Sequence, residues 1–588
     1  MKRPIMLFII FLVLGAKYLN SQPIRIEVDA AKKIRAINPW LYGINTARWD
    51  ESLFPEHPDE MLLTADRDAI KKIKASGITL LKYPGGNDAD SYIWNSPDNN
   101  VSEMQTDEYI ALCREVGAAP FITINFNQTP ELAAEWVRYC NREKGYDVKL
   151  WEIGDERWGT WAKGYVPPEE YAKKYILFVQ AMRAVDPDIK VATNVPLGYH
   201  REQWTERVLR SAVDYVDMLT FTYFPQQWGK ENDDSLMASV GVFEKLVLQL
   251  REDVERVVGK KKADEMLYVN VGYNSVNHSP GHQTLQMINA LFTADMLGVM
   301  ARTGIDIGCF WALHNFYPPR GGDFGFMSSE GKNTPRYSYY VLPLFSKYLK
   351  GELVESLGGG ALVSTYAARD GKALSIAFLN KDRRAIQYAQ LQVKNFTPLQ
   401  KGMAYILDAT REMKPFNLPP LSGTMTLKLP PYSLIMVNMI DSDSTLQPEN
   451  LTLNASAAAS SFSTIGPHFT PPSAIDGKMH TRWNSAAWTK SNGEESQWFQ
   501  LRWKTTQTIR RIRIHWGESP AQEYEILLSS DGAHWKTVKK VAGGRGGTEE
   551  YSFDAQRARQ LKIIGKKGTK GISAYSIREI EVFKEPMR

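Results

Sequence analysis

The sequence predicts a multidomain protein: a (β/α)8 TIM barrel, an antiparallel β-sandwich after it, and a further β-rich unit at the C-terminus. Three observations carry this expectation. The chain has 588 residues, too many for one ordinary core, so two or three domains are expected. From Leu41 to about Lys350, short apolar runs alternate with amphipathic helical stretches, the pattern of strands joined by helical crossovers. From Glu352 the pattern changes to short strands separated by turn residues.

Taken in order, Lys2 and Arg3 precede an apolar run from Ile5 to Ala16 and a polar stretch ending near Ser21. That is the pattern of a secretory signal peptide over residues 1–21, so a secreted or periplasmic protein is expected. The run is too short for a membrane span, and no later segment is long and apolar enough to cross a bilayer. A strand follows at residues 23–29, expected to join the sandwich. The barrel is assigned to residues 22–350. Its strands are expected at Leu41–Asn45, Thr79–Tyr83, Phe121–Asn125, Val148–Ile153, Lys190–Asn194, Met218–Tyr223, Leu267–Val271 and Ile305–Trp311. Helices are expected between them, among them Arg67–Ala75, Asp107–Val116, Pro130–Asn141, Glu169–Val185 and Gln283–Arg302. A doubly wound sheet is the alternative, but no glycine-rich phosphate fingerprint follows the first strand. The sandwich spans 351–440, a polar linker 441–449, and the last unit 450–586.

Composition narrows the function classes. With 43% hydrophobic and 23% charged residues, the chain reads as globular. A net charge of +5 is small for this length and spread along the sequence, so it gives no argument for a nucleic-acid partner. The three cysteines, Cys113, Cys140 and Cys309, are far apart and lack paired Cys/His spacing. Neither a disulfide framework nor a zinc site is expected, and the barrel is expected to need no cofactor.

Barrel enzymes build their sites at the C-terminal ends of the strands, and polar and aromatic residues collect there in this sequence. Asn45, Asn87, Asn125, Asp155-Glu156, Asn194, Tyr223, Asn274 and Trp311 all fall at or just after predicted strands. Amides donate to and accept from hydroxyls while aromatic rings cover the apolar faces of sugars, so a neutral glycan or polysaccharide is the expected partner. The most informative stretch runs from Leu150 to Gly159, an apolar strand ending in Asp155 and Glu156 with Trp158 and Trp161 after it. A carboxyl group walled by rings can be held protonated by desolvation, which suits a general acid for a glycosidic oxygen. A strand-end salt bridge would use the same residues.

Three segments carry a resemblance. Leu81-Lys82-Tyr83-Pro84-Gly85-Gly86-Asn87, Trp151-Glu152-Ile153-Gly154-Asp155-Glu156 and Val271-Gly272-Tyr273-Asn274-Ser275 resemble motifs of the retaining (β/α)8 glycoside hydrolase clan, and within it alpha-L-arabinofuranosidase-like enzymes. The resemblance covers roughly residues 23–440 and implies Glu156 as acid/base. It also implies substrate contacts at Asn87, Asn125, Trp158, Tyr223, Asn274 and Trp311. The sequence departs from the pattern at three points. Asp155 stands where the family has Asn, Thr222 where it has His, and Gly272 where it has the nucleophilic Glu. Three accounts follow: a non-catalytic glycan-binding barrel, a displaced carboxylate (Asp323 or Asp155) replacing the nucleophile, or direct attack by water in an inverting reaction.

The last unit resembles the discoidin, or coagulation factor V/VIII type C, fold used as a carbohydrate-binding module, a β jelly roll. The resemblance rests on Ala474-Ile475-Asp476-Gly477, Thr481-Arg482-Trp483, Gln497-Trp498-Phe499-Gln500-Leu501, Tyr524-Glu525-Ile526, Ser530-Asp531-Gly532 and Ile577-Arg578-Glu579-Ile580-Glu581-Val582-Phe583. It implies a structural calcium with Asp476, Thr481 and Glu579 as side-chain ligands, oxygen ligation being what calcium prefers. His480, Trp488 and Tyr575 are candidate sugar contacts. A cell-surface adhesion protein would also use such a module, but leaves the polar ring of the barrel unexplained.

Overall fold

The computed structural model describes residues 23–584 except 51, 54–65, 100–102, 199–200, 318–319, 330–332, 399–401, 419–423, 442–449, 464–468, 478, 480, 488–495 and 569–573. The expected signal peptide, the linker from 442 on, His480 and Trp488 lie outside the described residues. Two compact units divide near residue 443.

In the first unit eight parallel strands close on themselves: β2 (Gly43–Asn45), β3 (Leu80–Tyr83), β4 (Ala119–Ile124), β5 (Leu150–Ile153), β6 (Lys190–Asn194), β7 (Met218–Tyr223), β8 (Leu267–Tyr273) and β9 (Ile307–Phe310). Gly43 pairs with Cys309, which shuts the ring and excludes a doubly wound sheet. Leu80, Phe121, Leu150, Ala192, Met218, Val269 and Ile307 fill the interior as a packed core rather than a pore. The crossover helices start where the sequence provides caps. Asp66 accepts from the Ala69 backbone N–H ahead of helix Arg67–Ser76, and Asn232 accepts from that of Ser235 ahead of helix Asp233–Val258.

One helix differs from its expected character. The segment Gln283–Arg302 reads as one-faced, yet in the helix Met287–Thr303 every residue but Arg302 is buried. The reason is a second layer. A nine-stranded sheet lies over this helix. Tyr366 donates to the Asp295 carboxylate at 2.7 Å and Lys381 pairs with it at 3.0 Å. A Cβ on Gly298 would meet the Tyr366 ring at 2.3 Å, so only glycine permits this approach. The sheet therefore shares the barrel's core through Leu353, Tyr366, Ala377, Leu434 and Met436.

That sheet is the expected antiparallel layer, curled so that Val354, Ile376, Leu391, Leu427 and Val437 form a core of their own. The N-terminal strand β1 (Ile24–Ala36) joins it, antiparallel to Glu352–Gly358 and parallel to Gln387–Lys394. The second unit is a separate antiparallel sheet. Its two long strands, Gln497–Trp516 and Thr548–Gly568, pair with each other around Trp483, Phe499, Trp503, Ile512, Tyr524 and Leu561. The three cysteines are buried and free. Among the described residues, no helix is long and apolar enough to cross a membrane.

Candidate functional site

At the C-terminal ends of the barrel strands lies a cavity of about 1170 Å3. Its lining includes Asn45, Lys82, Asn87, Asp155, Glu156, Trp158, Trp161, Thr222, Tyr223, Gly272 and Trp311. Strand β5 delivers the central carboxyl group through an unusual turn. Gly154 has φ +73 and a Cβ there would collide with the Arg157 side chain at 2.5 Å. Glu156 follows with φ +46, a left-handed conformation that a residue with a side chain rarely adopts. The consequence is that Glu156 faces the cavity. Thr222, at the end of β7, donates its hydroxyl to Glu156 Oε1, and the Trp161 indole lies 3.4 Å from Oε2. Burial raises the Glu156 pKa, and those two donors offset only part of the rise. A buried carboxyl group held toward its acid form is what a proton donor needs.

Beneath Glu156 is a buried charge cluster. Lys82 Nζ lies 3.0 Å from Glu152 Oε2 and 3.6 Å from Asp155 Oδ1. Glu152 is the better satisfied carboxylate, with Thr123 at 2.8 Å and Asn194 at 3.0 Å also donating to it. Asp155 is pushed up to about 8 by burial, against the opposing pull of Lys82. One ammonium beside two carboxyl groups thus favours the acid form of Asp155. Asp90 ties the floor further: it pairs with the fully buried Arg157 at 2.9 Å and accepts from the Asp155 backbone N–H at 3.3 Å.

The structure brings together part of the expected set. Asn87, Trp158, Tyr223 and Trp311 line the cavity with Glu156, Asp155 and Gly272. Tyr223 presents only its ring, because its hydroxyl donates to the Ser239 carbonyl at 2.6 Å. Asn125, Asn274 and Asp323 are corrections, since none of them lines the cavity. Asn125 donates to the Tyr92 carbonyl at 3.0 Å and accepts from the Asn127 N–H, holding a loop. Asn274 donates to the carbonyls of Trp311 and Phe324. Asp323 is buried against Arg336 at 3.2 Å and the Gly325 N–H at 2.7 Å, so its carboxylate is already spent. The Lys82–Glu152 pair went unforeseen, as did Asp88 at the rim. Lys82 lies within a quoted motif, but nothing in its spacing marks it as an ion-pair partner.

The lining carboxyl groups have a one-sided distribution. Among the described residues they are Asp88, Asp155 and Glu156, all following β3 or β5. Those contributed by β8 and the segment after β9 are Val271, Gly272, Asn277, His278, Ser279, Trp311, Asn315 and Phe324, none acidic. A Cβ on Gly272 would meet nothing closer than Thr222 Cγ2 at 3.4 Å. A side chain at this position would begin with ordinary contacts to Thr222 and Phe224.

In the second unit, Thr481 donates to Asp476 Oδ1 at 2.8 Å and the Gly477 N–H to Glu579 Oε1 at 3.3 Å. The three residues expected as calcium ligands therefore lie in one bonded neighbourhood. Glu579 Oε2 is buried with no partner, and burial together with the Asp476 charge pushes the Glu579 pKa up to about 7. A divalent cation would relieve both, so the residues fit such a group, with backbone oxygens completing a shell that two carboxylates and a hydroxyl only begin. Tyr575 is corrected from a sugar contact to a core residue: it is 2% exposed and packs over Gly565.

Residues 456–580 match the model of the F5/8 type C domain. The chain is similar in sequence to the "Probable alpha-L-arabinofuranosidase C" of Aspergillus clavatus, 28% identical in an alignment 203 positions long that covers 28% of this chain and 40% of that one. It is also similar to the "Probable alpha-L-arabinofuranosidase C" of Aspergillus terreus, 23% identical in an alignment 387 positions long that covers 55% of this chain and 75% of that one. The matched segment thus spans about 40% of the first relative's length. In three dimensions the chain is similar to the alpha-L-arabinofuranosidase from Thermotoga maritima, with a TM-score of 0.62 at 18% identity, covering 71% of this chain and 99% of that one. The chain therefore combines an arabinofuranosidase-like (β/α)8 barrel and its curled sheet with a C-terminal F5/8 type C domain.

Proposed function

We propose that the barrel is a glycan-binding site of arabinofuranosidase type in which the double displacement has been lost, carried on an exported protein whose C-terminal domain grips the same class of polysaccharide. The observation that carries this reading is the one-sided carboxylate distribution. Retention needs two carboxyl groups facing each other across the glycosidic bond, about 5–5.5 Å apart, and inversion needs a base across a gap of about 6.5–9.5 Å. Here Glu156 supplies the acid, while among the described residues the wall built by β8 and the segment after β9 offers no carboxyl group to serve as nucleophile or base. Asp155 does not replace them, because it adjoins Glu156 after the same strand and burial favours its acid form. What remains is recognition: amides of Asn87, Asn277 and Asn315 for hydroxyls, and rings of Trp158 and Trp311 for apolar sugar faces. The basic, then apolar, N-terminal stretch supports export.

The test is paired. Calorimetry of the full chain with arabino-oligosaccharides should detect binding that Trp311→Ala weakens, while a reducing-sugar assay over a panel of plant polysaccharides should detect no release. Release by the wild type that Glu156→Gln abolishes would overturn the reading in favour of an active glycosidase. Absence of any binding would overturn it in the other direction.

For the C-terminal domain we propose a structural calcium held by Asp476, Thr481 and Glu579. Glu579 titrates near 7 when folded and near 4.5 when unfolded. Without metal, its contribution to stability is therefore full below 4.5 and lost as pH rises through 7. Calcium needs the deprotonated form, so its stabilisation should grow over that same interval. At a calcium concentration about 100-fold over the dissociation constant, the gain is about 2.7 kcal/mol. Differential scanning calorimetry at pH 8 should show this domain's transition rising with calcium and falling back with a chelator, and Glu579→Gln should remove the response. An unchanged transition would exclude the metal.

A further inference from the structure

Beyond the rim of the cavity lies a second, polar cleft of about 460 Å3, lined by Glu231, Asp233, Asp234, Gln283, Arg320 and Arg383 among others. The two are joined by a built shelf. Asn277, His278 and Ser279 line the first cavity. The Trp228 backbone N–H donates to Asn277 Oδ1 at 3.1 Å, and the His278 ring meets the Trp228 ring edge-on at 6.4 Å. Arg320 donates to the Ser279 carbonyl at 2.8 Å, pairs with Glu231 at 2.7 Å, and sits 6.0 Å from the Trp228 ring centroid. Trp228 is nevertheless 48% exposed. An indole flanked by His278 and Arg320 yet left half open to solvent is poor economy for stability and well suited to stacking on a sugar.

The cleft itself contains an unmet acceptor. Gln283 is 7% exposed, its amide N–H donates to Asp233 at 2.9 Å, and its Oε1 has no partner. A buried carbonyl oxygen without a donor is costly unless a ligand supplies one. Three carboxylates against two guanidinium groups leave no excess positive charge for a phosphate or a uronate. Hydroxyl groups are the chemistry that fits, donating to Gln283 and the carboxylates and accepting from the arginines.

We propose that the Trp228 shelf and the cleft beyond it form a distal subsite for a neutral polysaccharide chain whose end or side group occupies the barrel cavity. This rests on the glycan-binding reading above and adds that the ligand is a polymer, recognised also beyond the unit in the cavity. The test is calorimetric titration of the full-length wild type, Trp228→Ala and Gln283→Ala with arabinobiose and arabinohexaose. The disaccharide should bind all three alike, whereas both substitutions should weaken the hexasaccharide about fivefold, as expected for loss of one stacking or one buried polar contact. Unchanged hexasaccharide affinity in both variants would overturn the subsite and leave the cavity reading intact. Equal weakening of both sugars would place Trp228 within the cavity's own site and overturn a distinct distal one. If the wild type binds neither sugar, both readings fall.

Discussion

Gly272→Glu should raise the barrel's glycosidase activity on aryl arabinofuranosides at least about 100-fold above that of the natural chain. Removing one member of a catalytic unit can cost roughly 10^6 in rate, which sets the upper limit of what can be regained. Three features make the substitution fit. The nearest atoms to a Cβ at position 272 are Thr222 Cγ2 at 3.4 Å and the Phe224 ring at 3.6 Å, ordinary contacts that leave the side chain room. Gly272 pairs with Thr222 across β7 and β8, and Thr222 is the residue whose hydroxyl holds Glu156. An introduced carboxylate therefore grows beside the group that positions the acid. Its negative charge would also raise the Glu156 pKa further, keeping the proton on the donor until the glycosidic oxygen takes it. The assay is release of the aryl group, followed by proton NMR of the first-formed sugar, which should show retained configuration. Asp155→Asn added to Gly272→Glu tests whether the second departure limits the gain. A folded, sugar-binding variant with no activity, alone or with Asp155→Asn, would mean that the site has drifted beyond repair by its nucleophile.

The location of this site was legible in the sequence because a parallel barrel converts a one-dimensional pattern into a ring: whatever follows each apolar run arrives at the same mouth. Glu156 and Gly272 both come at strand ends, so both arrive at that mouth. What each strand-end amide does was not legible. Asn87 lines the cavity, whereas Asn125 and Asn274 spend their amides on backbone carbonyls. The same residue type at the same kind of position serves either purpose, and only the local loop decides. Asp323 illustrates a related limit, because its partner Arg336 comes from a different stretch of chain. Helix Met287–Thr303 was legible as a helix but not as a fully buried one, since its outer cover is supplied by strands more than sixty residues later.

The least legible feature is a buried ion pair at the floor of the site. Lys82 and Glu152 sit within apolar runs, Leu81-Lys82-Tyr83 and Trp151-Glu152-Ile153, and periodicity marks neither as a partner of the other. In the barrel both are essentially excluded from water, 2% and 0% exposed, and 3.0 Å apart. Lys82→Met keeps much of the side-chain volume and removes the charge, leaving Glu152 buried beside Asp155 with no cation. Breaking a buried pair in this way costs about 3–5 kcal/mol. Denaturant unfolding should show that loss in the transition of the first unit alone, with the C-terminal unit's transition unmoved. Removing both charges is different: Lys82→Met with Glu152→Gln leaves hydrogen-bonding groups but no orphaned ion, and should recover most of the loss. Asp155→Asn alone should cost the least at pH 7, because burial favours the neutral form of Asp155, which an amide resembles. That ordering distinguishes a charge effect from mere packing. If Lys82→Met lies within about 1 kcal/mol of the wild type, or if the double variant is no better than the single, the pair is not what holds the floor of the site.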